Sequence, residues 1–217
     1  MIKLRNVSKY FKTEGHKKVI LDRVSMEFLS GYSYGMLGVN GAGKSTTMKM
    51  IAGSALPNSG RIIKDLRVSW PLGFAGGFHP QMTGRDNLAF VARAYGEDVR
   101  RVSDFVEDFA ELGDYIFAPV RTYSSGMMAR LAFGLSMAIE FDCYLVDEIT
   151  AVGDARFQAR CRTAFENRRK DSDIIMISHS MSTISAYCDK GIVLVDGQML
   201  LFDKVTDAIE TYYRLNR

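Results

Sequence analysis

One string in this chain has the residue types and spacing that cradle phosphate: Gly38, Val39, Asn40, Gly41, Ala42, Gly43, Lys44 and Ser45, with Thr46 behind them. Glycines are needed because successive backbone N–H groups must turn inward around an anion, leaving no room for Cβ atoms at the tightest points. Lys44 is placed to reach the β- and γ-phosphates of a nucleoside triphosphate as a point charge, and Ser45 to ligate Mg²⁺. The helix expected to follow turns its positive dipole end to the same anion. A glycine-rich turn before a helix is the plainer reading, but it does not require the full GxxxxGK[ST] string between an apolar strand and a helix.

Hydrolysis needs a second metal contact and a group that polarises water. Asp147 and Glu148 follow the apolar run Cys143-Tyr144-Leu145-Val146. There Asp147 is expected to hold Mg²⁺, directly or through water, and Glu148 to act as general base. His179 follows a second apolar run, Ile174 to Ile177, where an imidazole is placed to contact a γ-phosphate and sense its loss. Alone, the acidic pair reads as a cap and the histidine as a turn residue; the phosphate loop upstream favours chemistry for both. Tyr123-Ser124-Ser125-Gly126-Met127 opens an amphipathic helix. Such an N-terminus offers free N–H groups to an anion, although a simple serine N-cap gives the same string.

These residues need a scaffold that ends several strands at one level. Short β-branched or apolar runs at Ile2 to Val7, Val19 to Leu21, Ser25 to Phe28 and Tyr34 to Leu37 read as strands, and Ser45 to Ala52 as a short helix starting at the loop. From Thr83 to Ile139 the period turns helical, with segments at Asn87 to Tyr95, Val99 to Leu112 and Ser125 to Ile139. Beyond it, the continuous apolar runs at Cys143 to Val146, Ile174 to Ile177 and Ile192 to Val195 predict parallel strands buried on both faces. A last helix is expected over Thr206 to Leu215. The pattern predicts a single α/β domain: a sheet core over 1–82 and 140–217, with a helical lobe inserted at 83–139.

The bulk composition excludes several classes. A 47% hydrophobic and 24% charged composition over 217 residues is ordinary for one globular domain, and a net charge of +3 on scattered basic residues gives polynucleotide binding no support. Cys143, Cys161 and Cys188 are odd in number and widely spaced, so neither a disulfide framework nor a zinc site is expected, and a reducing compartment fits best. The N-terminus has no apolar leader and is read as structure. The longest apolar stretch, Leu131 to Ile139, falls far below the ~18 residues of a membrane span, so a membrane role needs another chain.

The order of phosphate loop, helical lobe, YSSGM string, Asp-Glu pair and strand-end histidine resembles the nucleotide-binding domain of ABC transporters along the whole chain. That resemblance implies a P-loop NTPase core of the RecA-like type with an antiparallel β-subdomain and an inserted α-helical subdomain. It implies ATP and Mg²⁺ as cofactors. Ser124, Ser125 and Gly126 match the signature segment, usually S-G-G-Q, which in the family contacts the γ-phosphate held by the opposite subunit; a homodimer with two shared sites follows. Phe11, with Tyr10 beside it, falls where the family stacks an aromatic on adenine, and Gly153-Asp154 fall in the D-loop. More narrowly, SWPLGFAGGF at 69–78, TGRDNLAFVARAYG at 83–96 and VDEITAVGDARF at 146–157 look like the KpsT/BexA group, the ATPase subunits of capsular polysaccharide exporters. The resemblance implies two copies of an integral-membrane permease as partners, a lipid-linked capsular polysaccharide as the indirect cargo, and a position on the cytoplasmic face of the bacterial inner membrane.

Departures mark this chain. Ser125 and Met127 replace a signature glycine and glutamine. No glutamine ends the Val68-Ser69-Trp70 strand, where most ABC proteins use one to touch Mg²⁺ and the membrane subunit; His79, Gln81 or nothing takes its place. The segment from Trp70 to Phe78 is either a docking surface or core packing around a turn. An O-antigen or teichoic-acid exporter subunit is the near alternative, although many O-antigen ATPases add a C-terminal sugar-binding domain. A soluble ABC ATPase acting on ribosomes or DNA is the alternative of another class, although those typically fuse two nucleotide domains or insert coiled coils. A kinase or small GTPase would share only the phosphate loop.

Overall fold

The computed structural model describes residues 1–13, 15–73, 76–147 and 154–216. The chain divides into two compact units: the described residues of 1–71, 141–149 and 172–217, and those of 72–140 and 150–171.

The first unit holds two sheets. Strands β1 (Ile2–Thr13), β2 (His16–Phe28) and β4 (Ser59–Lys64) form an antiparallel sheet in the order β2-β1-β4. Where two separate strands were expected between Val19 and Phe28, there is one, because the polar break at Asp22-Arg23 is a bulge. Arg23 takes φ 50° and Asn6 φ 48°, and hydroxyls satisfy the N–H groups the ladder loses: Arg23 N–H donates to Ser8 Oγ at 2.9 Å and Asn6 N–H to Ser25 Oγ at 3.0 Å.

The second sheet contains β3 (Tyr34–Leu37), β5 (Val68–Pro71), β6 (Cys143–Asp147), β7 (Asp173–Ile177), β8 (Lys190–Val195) and β9 (Gln198–Phe202), ordered β5-β6-β7-β3-β8-β9. All neighbours are parallel except β8 and β9. β3 is buried at every position, and β6 and β7 at all but one each, as their continuous apolar sequences require. Strands β4 and β9 escaped the sequence reading because mostly exposed strands carry little apolar signal. The β5–β6 register is irregular, since Pro71 has no N–H to give the ladder; the buried Ser69 hydroxyl accepts from Leu145 N–H at 2.9 Å and donates to Trp70 O at 2.7 Å. Register aligns Ile177 with both Asp147 and Met36, so β6, β7 and β3 end level at one edge of the sheet. Helix α1 (Lys44–Ala52) follows β3, while α6 (Met181–Tyr187) and α7 (Val205–Leu215) complete the unit.

The second unit is helical: α2 (Gly84–Ala94), α3 (Val99–Ala110), α4 (Ser125–Ala138) and α5 (Ala155–Arg168). Helix α2 starts three residues before the apolar period does, because Thr83 and Asp86 form a capping box. Phe109 of α3 stacks on Phe133 of α4 at 6.0 Å and meets Phe157 of α5 edge-on at 5.5 Å. Burying each such ring stabilises by about 1.5–3 kcal/mol. Gly134 permits the close approach of α3 to α4, as a Cβ there would lie 3.2 Å from Val106 and 3.3 Å from Phe109. Helix α5, expected with the sheet core on sequence position, groups with this unit. Among the described residues no helix is long and apolar enough to cross a membrane, and Cys143, Cys161 and Cys188 are buried thiols outside any disulfide.

Candidate phosphate-binding site

The loop between β3 and α1 is a cradle of backbone donors. Gly43 is the N-cap of α1 at φ 105°, with no side-chain cap. Thr47 N–H is the first amide of the helix to find an intrachain acceptor, Gly43 O at 2.8 Å, which leaves the N–H groups of Lys44, Ser45 and Thr46 for an anion. Ala42 N–H closes the turn on Val39 O at 3.1 Å, and Lys44 Nζ spans it, donating to Gly38 O at 2.6 Å and Val39 O at 3.1 Å. Burial lowers the Lys44 ammonium below the ordinary lysine range, while the Asp147 charge opposes that shift. An ammonium with depleted hydration beside a carboxylate gains from a polyanion brought next to it.

Around this loop lies a cavity of about 300 Å³. Its floor is Asn40, Gly41, Gly43, Lys44, Ser45 and Thr46; Asp147, Ile177 and His179 come from the ends of β6 and β7; Phe11, Lys18 and Ile20 come from the antiparallel sheet. The expected residues Phe11, Lys44, Ser45, Asp147 and His179 therefore meet in one place, drawn from positions 11 to 179. Phe11 is about half exposed (49%), with Lys9 Nζ 5.2 Å from its ring centroid and fixed by a 2.7 Å bond to Leu56 O. The Tyr10 ring has the ammonium groups of Lys12 and Lys17 at 5.9 and 4.3 Å from its centroid. Lys18 and Ile20 were missed by sequence reasoning. Their signal is the register that sets Lys18 opposite Phe11, which no local pattern encodes. Glu148 and Gly153 lie outside the described residues.

In the helical unit, Ser124 is the N-cap of α4, its Oγ accepting from Met127 N–H at 3.2 Å. Ser124 and Ser125 are exposed. A Cβ on Gly126 would meet nothing nearer than Ser124 Oγ at 3.9 Å, so packing inside the chain does not require a glycine there. Asp154 caps α5 through Phe157 N–H at 2.9 Å and accepts from Arg130 of α4 at 3.1 Å; these contacts hold its carboxyl below the usual carboxylate range. Arg130 also lies 4.4 Å from the Phe157 ring centroid and pairs with Glu111. His79 and Gln81 are both exposed, and the buried Asn87 pins their segment, accepting from His79 N–H at 2.7 Å and donating to Thr83 O at 2.9 Å. In the 70–78 segment, Trp70 packs edge-on against Phe141 at 5.3 Å, while Phe74 and Ala75 lie outside the described residues.

Comparison with known proteins agrees with this geometry. The family model described as ABC transporter matches residues 21–151. The polysialic acid transport ATP-binding protein KpsT of Escherichia coli is 47% identical over 215 residues, covering 98% of each chain, and the ATP-binding protein BexA of Haemophilus influenzae is 46% identical over 212 residues, also 98% of each. A solved dimeric, post-hydrolysis ATP-binding cassette bound to ADP and Pi superposes with a TM-score of 0.74 over 94% of this chain and 99% of its own, at 19% identity. The fold, the motif order and near-full-length identity to such relatives agree: the chain belongs to the ABC transporter family.

Proposed function

We propose that this chain is the ATP-binding and ATP-hydrolysing subunit of a capsular polysaccharide exporter, working as a dimer with an integral-membrane permease at the cytoplasmic face of a bacterial inner membrane. The observation that carries the reading is that the loop residues Asn40, Gly41 and Gly43 to Thr46 line one cavity together with Asp147, His179 and Phe11. Capsule export as the task follows from relatives at 46–47% identity over nearly the whole chain.

Each residue has a physical role. The open N–H groups at the start of α1 and the Lys44 ammonium hold the phosphates, and Phe11 stacks on the adenine. The hydroxyl of Ser45 and the carboxylate of Asp147 are hard oxygen donors lining the same cavity, the set that suits Mg²⁺. The ion would neutralise phosphate charge there. Glu148 accepts the proton of the attacking water, and His179 contacts the γ-phosphate. Ser124, Ser125 and Gly126 serve the site of a second copy, and the openness around Gly126 supports that close approach from outside. The phosphate loop of each copy then makes two sites per dimer.

The test is Glu148→Gln. The variant is expected to bind ATP, stop turnover and accumulate as a dimer, read by size exclusion with ATP; hydrolysis at the parent rate would remove Glu148 from the base role. A polytopic membrane protein is expected to co-purify with the chain. Co-purification with ribosomes in its place would overturn the exporter reading.

A further inference from the structure

Lys18 takes no part in the sequence motifs, yet its side chain sits above the phosphate loop. Its Nζ lies 3.1 Å from the point a Cβ on Gly41 would occupy, and it lines the same cavity as Lys44 and Asp147. Its partner across the β1–β2 ladder is Phe11. Residues directly opposite in an antiparallel pair point to the same face of the sheet. This hairpin therefore presents an aromatic ring and an ammonium side by side to one cavity. Next along β2 on that face, Ile20 would lie 2.3 Å from a Cβ on Gly43, so the strand carrying Lys18 is braced against the loop itself.

We propose that Lys18 is a second phosphate-binding cation of the nucleotide site, closing over the phosphates of a nucleoside triphosphate from the antiparallel sheet while Lys44 holds them from the loop. The proposal rests on the ATP-binding reading above. A compact ammonium on a flexible stem suits a role that clamps an anion without fixing its geometry. Because Lys18 is exposed, its contribution is screened by salt, unlike that of the partly buried Lys44. The device would also couple base to phosphate recognition, since Phe11 and Lys18 move with one hairpin.

The experiment is calorimetric titration of the full chain with MgATP at low and high NaCl, using the parent, Lys18→Met, Lys18→Arg and Lys44→Ala. Lys18→Met is expected to weaken MgATP binding about three- to tenfold at low salt, the size of one exposed charge-assisted contact. That deficit should shrink at high salt, and Lys18→Arg should restore binding. Unchanged thermal unfolding keeps a folding defect from accounting for the loss. Lys18→Met binding within twofold of the parent at low salt, while Lys44→Ala loses binding, would overturn the role of Lys18 and leave the ATP site standing. A parent that binds no MgATP would overturn both.

Discussion

Replacing Gly43 with alanine tests the cradle where backbone and packing constraints coincide. At φ 105° an L-residue is strained, and the new Cβ would lie 2.3 Å from Ile20 Cγ2, 1.1 Å inside the 3.4 Å of an ordinary contact. Ile20 cannot swing away into solvent, being 3% exposed. Backbone strain costs about 1–3 kcal/mol and overpacking a similar amount, so unfolding in urea should show a loss of about 2–6 kcal/mol. The only escape is to displace the loop, so MgATP affinity should fall at least about tenfold, a difference of about 1.4 kcal/mol. Gly41→Ala is the control: its Cβ would meet only the end of the flexible Lys18 side chain, at 3.1 Å, leaving the backbone term of about 1–2 kcal/mol. In the Gly43→Ala background, Ile20→Ala should cost about 1–3 kcal/mol less than it does in the parent. Gly43→Ala stability within about 0.5 kcal/mol of the parent with unchanged MgATP affinity, or strict additivity of the two substitutions, would refute the reasoning.

Arg130 has a side chain 18% exposed, pairs with Glu111 and Asp154 and lies over Phe157, so Arg130→Ala should lower stability by about 1–3 kcal/mol. Arg156→Ala, which removes an 84% exposed partner of the same Glu111, should stay within about 0.5 kcal/mol in the same urea titration. Burial pushes the Cys143 thiol up from 9.0 to about 12, so it should resist thiol reagents at pH 8 until the chain unfolds. The unfolded thiol ionises first, so this group's share of stability is intact below about pH 9 and is lost as pH rises toward 12. Comparing parent with Cys143→Ala, the stability difference should move by about 1.4 kcal/mol between pH 7 and pH 10, and no movement would contradict the burial argument.

Local chemistry explains what the sequence determined by itself. The phosphate loop is legible because an anion cradle needs glycine at successive tight points and a lysine at a set offset, and these constraints lie within a few consecutive residues. The buried parallel strands are legible because both faces must be apolar. Helix α4 is legible because Ser124 caps it. Tertiary structure decided what depends on distant pairing. The Asp22-Arg23 bulge became part of one strand because Ser8 stands across from it. The exposed strands β4 and β9 form only where a neighbour offers its edge, and α5 joined the helical unit through the Phe109–Phe157 contact. Asp147 and His179 reach the cavity because β6, β7 and β3 end level in register. Lys18 reaches it only because the hairpin sets it opposite Phe11, a juxtaposition made by cross-strand hydrogen bonds that no short run of sequence encodes.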